Sequence, residues 1–217
     1  LFAGGYGQDT TRDSGGYDIV NFGEGIRLEF LRFSRVGESG EDLLVEVDGV
    51  EPLTLTVEGQ FAQLPPVIEE FTFLTGATLT WLDVQEIILA QERTSGDDEI
   101  DGFLTADVID GGEGNDVLSG WKGDDTIVGG EGRDTAVFSG SRSDYLIEHV
   151  GDAVRVTDLR SGGDGSDTLY EVEDLRFEGG SGETINLVAP NQAPVAGPLS
   201  AEAVEEQRLT ILRSDIM

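Results

Sequence analysis

Gly111-Gly112-Glu113-Gly114-Asn115-Asp116-Val117-Leu118-Ser119 is a glycine turn ending in a carboxylate, followed by a three-residue strand with one inward apolar side chain. The same nine-residue frame runs from Arg93 to Val137. Gly129-Gly130-Glu131-Gly132-Arg133-Asp134-Thr135-Ala136-Val137 keeps it whole, and Gly120-Trp121-Lys122-Gly123-Asp124-Asp125-Thr126-Ile127-Val128 differs mainly by Trp121 at the second place. The copy from Gly102 to Asp110 is degenerate and retains Gly102, Asp107 and Ile109; the copy from Arg93 to Asp101 retains Gly96, Asp98 and Ile100.

Two ladders follow from this frame. Asp98, Asp107, Asp116, Asp125 and Asp134 fall at the sixth place, and Ile100, Ile109, Leu118, Ile127 and Ala136 at the eighth. A three-residue strand cannot bury its side chain alone, so such units are stable only when stacked, with the apolar ladder as a shared core. The glycines allow backbone angles that a Cβ forbids and let carbonyls converge. Carboxylate and carbonyl oxygens are the ligands of a hard cation, and calcium takes them in sixes to eights. A flexible acidic linker would share the composition, but it has no reason to keep an apolar residue in phase two places after each aspartate.

The stretch resembles the glycine- and aspartate-rich nonapeptide repeats of the RTX (repeats-in-toxin) family, a calcium-binding parallel β-helix signature. The resemblance implies a parallel β-roll in which turn i stacks on turn i+2 with calcium between them. Asp98, Asp116 and Asp134 then line one edge and Asp107 and Asp125 the other, giving three positions: 98 with 116, 107 with 125, and 116 with 134. It also implies ligation by the main-chain carbonyls of Gly111, Glu113, Asn115, Gly129, Glu131 and Arg133. Asp97 and Asp124, at the fifth place, read as solvated charge.

The chain has 217 residues, 31 of them glycine, no cysteine and a net charge of −31 from 44 acids and 13 bases. This charge argues against nucleic acid and anionic membrane surfaces as partners and for bound cations. Without cysteine there is no disulfide staple, and calcium would take that place. No signal peptide or membrane-spanning run is visible, so membrane insertion is not expected. Leu1 lies inside what reads as a repeat, so the chain reads as a fragment of a longer one.

Outward from the repeats, Gly4 to Arg12 reads as another nonapeptide, and Asp18 follows Asp9 by nine residues. Residues 1–22 therefore read as the end of an upstream roll, with Asp9 and Asp18 as candidate metal residues whose stacking partners lie upstream. Residues 23–92 read as an antiparallel β-rich spacer. Val45, Val47, Leu53, Leu55 and Val57 alternate around Asp48-Gly49, Val67 to Phe73 is a strand, and Thr80 caps a short helix or turn reaching Ile88. Residues 93–138 are the roll and 139–188 an antiparallel cap, with strands around Tyr145, Ile147, Val154 and Val156. Glu69-Glu70-Phe71-Thr72-Phe73 and Glu173-Asp174-Leu175-Arg176-Phe177 share a pattern, which suggests that both flanking regions end on a similar strand. Gly162 to Tyr170 matches the nonapeptide but has no neighbour at nine or eighteen residues, so it reads as a lone turn. Residues 189–217 read as a linker and the truncated start of a cadherin-like domain.

With one histidine and no cysteine, zinc sites and Ser-His or Cys-His nucleophiles are excluded. Carboxylates in the repeats are explained by metal, so no catalytic residue is assigned. The fold class is all-β, a parallel β-roll flanked by antiparallel β-rich regions. The expected function is a calcium-binding structural and folding module of a large secreted or cell-surface bacterial protein, adhesin-like and folding after type I secretion. Its partners would be calcium ions, the neighbouring domains of the same large chain, and an extracellular glycan or surface ligand. The alternatives are the accessory region of a secreted RTX enzyme or toxin, and a polysaccharide-binding module.

Overall fold

The structure is a computed structural model that describes residues 7–11, 16–38, 40–48, 53–62, 64 and 66–187. The expected cadherin-like start at 189–217 and the side chain of Asp9 lie outside the described residues.

The elements are β1 (Gly7–Thr11), β2 (Ile19–Phe22), β3 (Leu31–Val36), β4 (Asp42–Val47), β5 (Leu53–Val57), β6 (Glu70–Phe73), β7 (Thr78–Thr80) and helix α1 (Trp81–Glu92). They continue with β8 (Glu99–Asp101), β9 (Val108–Glu113), β10 (Val117–Ser119), β11 (Thr126–Glu131), β12 (Thr135–Phe138), β13 (Tyr145–Val150), β14 (Ala153–Asp158), β15 (Ser166–Tyr170), β16 (Asp174–Phe177) and β17 (Glu183–Asn186). Four sheets result, ordered β1-β5-β4-β3, β2-β6-β7, β8-β10-β12-β16-β17 and β9-β11-β15-β14-β13.

The nonapeptides form a parallel roll. Successive short strands alternate between two sheets, so each strand pairs with the one two units on: Leu118 lies in register with Ile100 and Ala136, and Ile127 with Ile109. The apolar ladder is the core, since Ile100, Ile109, Leu118, Ile127 and Ala136 are all buried. Burying each of the isoleucine and leucine side chains contributes about 1.5–3 kcal/mol.

The roll does not stop at Phe138. β15 adds a parallel strand to β11, with Leu169 in register with Ile127, and β16 adds one to β12, with Leu175 in register with Ala136. The expectation of a purely antiparallel cap over 139–188 is corrected here. The β13–β14 hairpin is an insertion between two coils, and its antiparallel strand β14 covers the outer edge of β15 as β17 covers that of β16. At this end the parallel strands are thus paired, and the two sheets end on the antiparallel strands β13 and β17 instead. Phe138, Tyr145 and Phe177 pack together under the hairpin, with ring centroids 5.2–5.7 Å apart.

The other end of the roll is closed by α1. Thr80 begins it through a capping box with Asp83, and the helix runs to Glu92, one turn beyond the sequence expectation. It packs against β8 and β9 and buries Val84, Ile88 and Leu89. Arg35 ties the preceding sheet to this end, bonding Glu92 and the carbonyls of Asp101 and Gly102.

The first seven strands repeat the last seven. β1 pairs parallel with β5 and β2 with β6, while β3–β4, β4–β5 and β6–β7 are antiparallel. The corresponding pairs of β11 to β17 have the same sense throughout. A one-turn 3-10 helix precedes both β3 and β13. The expectation that Asp9 and Asp18 have their stacking partners only upstream is therefore corrected: β1 and β2 stack on β5 and β6. The backbone of Asp9 lies in register with Leu55, so its downstream neighbour brings no carboxylate.

Candidate metal centre

The carboxylates of the repeats stand in two rows, one at each turn edge of the roll. Within a row each aspartate after the first accepts a hydrogen bond through Oδ1 from the main-chain N–H of the aspartate one coil earlier. In the first row Asp98 N–H donates to Asp116 and Asp116 N–H to Asp134, both at 2.8 Å. In the second, Asp107 N–H donates to Asp125 at 2.8 Å, and Asp125 N–H to Asp167 at 3.0 Å. The i/i+2 spacing brings together the residues that the sequence pairs. It also adds Asp167, whose unit reads in the sequence as a lone turn: its partner is 42 residues away because the β13–β14 hairpin intervenes. The first row ends on Glu173, whose Oε2 accepts from Asp134 N–H at 2.9 Å.

The second oxygen of the inner carboxylates has no partner. Asp116 Oδ2, Asp125 Oδ2 and Asp134 Oδ2 are buried and make no hydrogen bond. Each points into the gap left by a glycine. A Cβ on Gly111 would overlap Asp116 Oδ2 and lie 2.6 Å from the carbonyl oxygen of Gly129 on the next coil. A Cβ on Gly102 would lie 2.9 Å from Asp107 Oδ2 and 2.7 Å from the carbonyl oxygen of Gly120. At Asp116 the carboxylate and carbonyl oxygens thus meet with no donor between them, whereas Asp107 Oδ2 also accepts from Phe103 N–H at 2.6 Å. An unpaired buried carboxylate oxygen is costly, and a hard cation satisfies both oxygens at once. Among the described residues no three Asp, Glu or His side chains converge on one point, which is the pattern expected where the main chain supplies much of the ligand set.

The turns hold this geometry through close approach. Gly132, at φ +141°, has the Gly114 carbonyl where a Cβ would stand. Trp121 takes the left-handed region at φ +62° without being glycine, stays exposed, and donates through Nε1 to Asp101 at 3.1 Å. Sequence reasoning missed the fifth place. Asp97 accepts from Asn115 N–H at 2.8 Å, Asn115 from Arg133 N–H at 3.1 Å, and Asp124 from Ser166 N–H at 2.9 Å. A short acceptor side chain at the fifth place of three units, Asp97, Asn115 and Asp124, is the signal that could have found these bonds. Of the carbonyls named from the sequence, that of Gly129 meets Asp116 Oδ2, whereas that of Glu131 accepts from Gly114 N–H at 2.9 Å. Asp18 lies outside the two rows; its N–H donates to Glu69 at 2.7 Å.

Burial raises the carboxyl pKa values of Asp107, Asp116, Asp125, Asp134 and Asp167 when no metal is present. Asp125 is pushed up to about 8, first by burial and then by the charges of Asp167 and Asp107. Asp167 is raised to about 7, and Asp107 and Asp134 to about 6, again mainly by burial. The metal-free fold therefore holds protons that the unfolded chain has released, so its stability falls as pH rises from about 4 to about 8. Calcium must displace those protons. Its apparent affinity is expected to rise across pH 5 to 8 with proton release on binding, measured by calorimetry in buffers of different ionisation enthalpy. A pH-independent affinity would refute the burial argument.

The family profile of the RTX calcium-binding nonapeptide repeat, in four copies, matches residues 94–118 and 101–136. This stretch is an RTX repeat block. RTX nonapeptide repeats bind calcium ions, and the donor set of the two rows fits that ion. No curated protein gives a match to the chain. Among solved structures, the crystal structure of the extracellular lipase LipA from Serratia marcescens aligns at 18% identity and a TM-score of 0.35, over 51% of this chain and 17% of that one. Among the described residues no helix is long and apolar enough to cross a membrane.

Proposed function

We propose that the chain is a calcium-dependent structural and folding module of a large secreted bacterial protein, exported unfolded by type I secretion and folding outside the cell. The observation that carries this reading is the pair of carboxylate rows with orphaned buried oxygens at Asp116, Asp125 and Asp134. Asp98, Asp107, Asp116, Asp125, Asp134 and Asp167 are the carboxylates that would hold the ions, with main-chain carbonyls of Gly111, Glu113, Asn115, Gly129 and Arg133 around the best-formed turns. With no cation the rows bring like charges together in a chain of net charge −31. At sub-micromolar calcium the roll has no counter-charge and the chain stays export-competent; at millimolar calcium it closes. The roll and its two end caps act as a stiff spacer between other domains of an adhesin-like parent.

Calcium titration of the chelated protein, followed by far-UV circular dichroism, tests this reading. A cooperative gain of β signal is expected with a midpoint near 10⁻⁴–10⁻³ M, the range of extracellular modules. A spectrum that is the same at micromolar and millimolar calcium would sink it.

A further inference from the structure

We infer that the roll carries one more cation site beyond the nonapeptides, at its closing coil, formed by Asp134 Oδ2 and the main-chain carbonyl of Glu171. This rests on the calcium reading above and extends it to residues outside the matched repeats, which end at residue 136.

The first row meets an irregular coil at its end. In a regular coil a five-residue glycine turn precedes the aspartate, but between β15 and β16 only Glu171, Val172 and Glu173 remain. The chain makes this short link by holding Glu171 in the left-handed region at φ +51°, one of only two non-glycine residues so placed among the described residues. That conformation is unfavourable by about 1–2 kcal/mol for a residue with a Cβ, and here it aims the Glu171 carbonyl into the roll. A Cβ on Gly129 would overlap the Glu171 carbonyl oxygen and lie 2.6 Å from Asp134 Oδ2. The same relation joins Asp116 Oδ2 and the Gly129 carbonyl at Gly111. Asp134 is 0% exposed, its Oδ1 is taken by Asp116 N–H, and its Oδ2 has no donor. Glu173 does not supply one; it accepts Asp134 N–H instead, the extra methylene of glutamate spanning the shortened turn.

The first half of the chain is an internal control. Asp18 and Glu69 repeat the terminal rung: Asp18 N–H donates to Glu69 at 2.7 Å, and the N–H groups of Glu69 and Glu70 return to the Asp18 carbonyl. In the aligned place of Glu171 stands Val67, which is not left-handed, and nine residues lie between it and the end of β5 at Val57, whereas β15 runs directly into Glu171. The rung recurs there without the left-handed residue that aims the Glu171 carbonyl.

Counting bound calcium per chain, by calorimetry and by metal analysis after gel filtration, tests the assignment. Glu171→Val disfavours the left-handed backbone and is expected to lose one ion relative to wild type, whereas Glu171→Gly keeps the backbone and the full count. Gly129→Ala places a methyl between the two oxygens and is expected to lose the same ion; it decides the matter if Glu171→Val does not fold. A folded Gly129→Ala or Glu171→Val variant with the wild-type count overturns the site, as does loss of the ion in Glu171→Gly, which would assign it to the side chain. Wild-type protein that binds no calcium overturns instead the reading on which the site rests.

Discussion

Chelation with EGTA is expected to strip hydrogen-exchange protection from the amides of residues 98–137 and 166–170 while those of Phe33, Leu43, Val45 and Leu55 stay protected. The difference follows from what holds each region together. In the roll each nine-residue unit from Gly102 to Val137 contributes one apolar ladder side chain, such as Leu118 or Ile127, against one buried aspartate. The stacked pairs 98/116, 116/134, 107/125 and 125/167 define four ion positions. At a calcium concentration about ten times Kd each adds about 1.4 kcal/mol, hence roughly 6 kcal/mol together, comparable with the whole stability of an ordinary domain at about 5–15 kcal/mol. Without that contribution the like charges and orphaned oxygens stay, and the glycine-rich turns recover the largest backbone entropy on opening.

The two sheets of β1 to β7 have no such dependence. Val20, Phe22, Phe33, Leu43, Val45, Leu55, Val57, Phe71 and Phe73 are all buried, and Phe22 stacks on Phe73 at 5.1 Å between centroids. Their stabilising surface is apolar, and α1 adds Val84, Ile88 and Leu89. Uniform loss of protection across residues 16–187 in EGTA would mean that the roll and these sheets unfold as one unit and would refute the division.

The roll was legible in the sequence because its period is a geometric constraint. One strand and one turn fill nine residues, and any slip would move Leu118 or Ile127 out of the core. The apolar alternation of β4 and β5, and the Thr80 cap of α1, were legible for equally local reasons. What failed was everything that depends on an interrupted period. Asp167 carries a complete nonapeptide, but the inserted hairpin moves its partner from 18 residues away to 42. Glu173 has no turn signature at all, since its link is cut to three residues. The resemblance of Glu69–Phe73 to Glu173–Phe177 was visible as a pattern, and these are the equivalent strands β6 and β16 of a duplicated arrangement. Its meaning lay in the pairing of whole sheets, which no local signal records.

That continuation changes which aspartates matter most. From the nonapeptides alone, Asp116 is the one carboxylate between two stacked neighbours, and Asp107 and Asp125 each have one. With Asp167 in place, Asp125 also stands between two, Asp107 and Asp167. Asp125→Ala is therefore expected to destabilise the calcium-loaded protein as much as Asp116→Ala, by about 3 kcal/mol for two ion positions at ten times Kd. Each also leaves a main-chain N–H, of Asp107 or Asp98, without its acceptor, at a further cost of about 1–3 kcal/mol where that group is buried. Asp98→Ala touches one position, and its carboxylate otherwise serves only the exposed Thr94 N–H and hydroxyl, so about 1.4 kcal/mol is expected. Urea unfolding at fixed millimolar calcium measures all three, and the calcium midpoints should rank in the same order. If Asp125→Ala costs no more than Asp107→Ala, the rung at Asp167 holds no ion, and the second row ends where the unbroken repeats end.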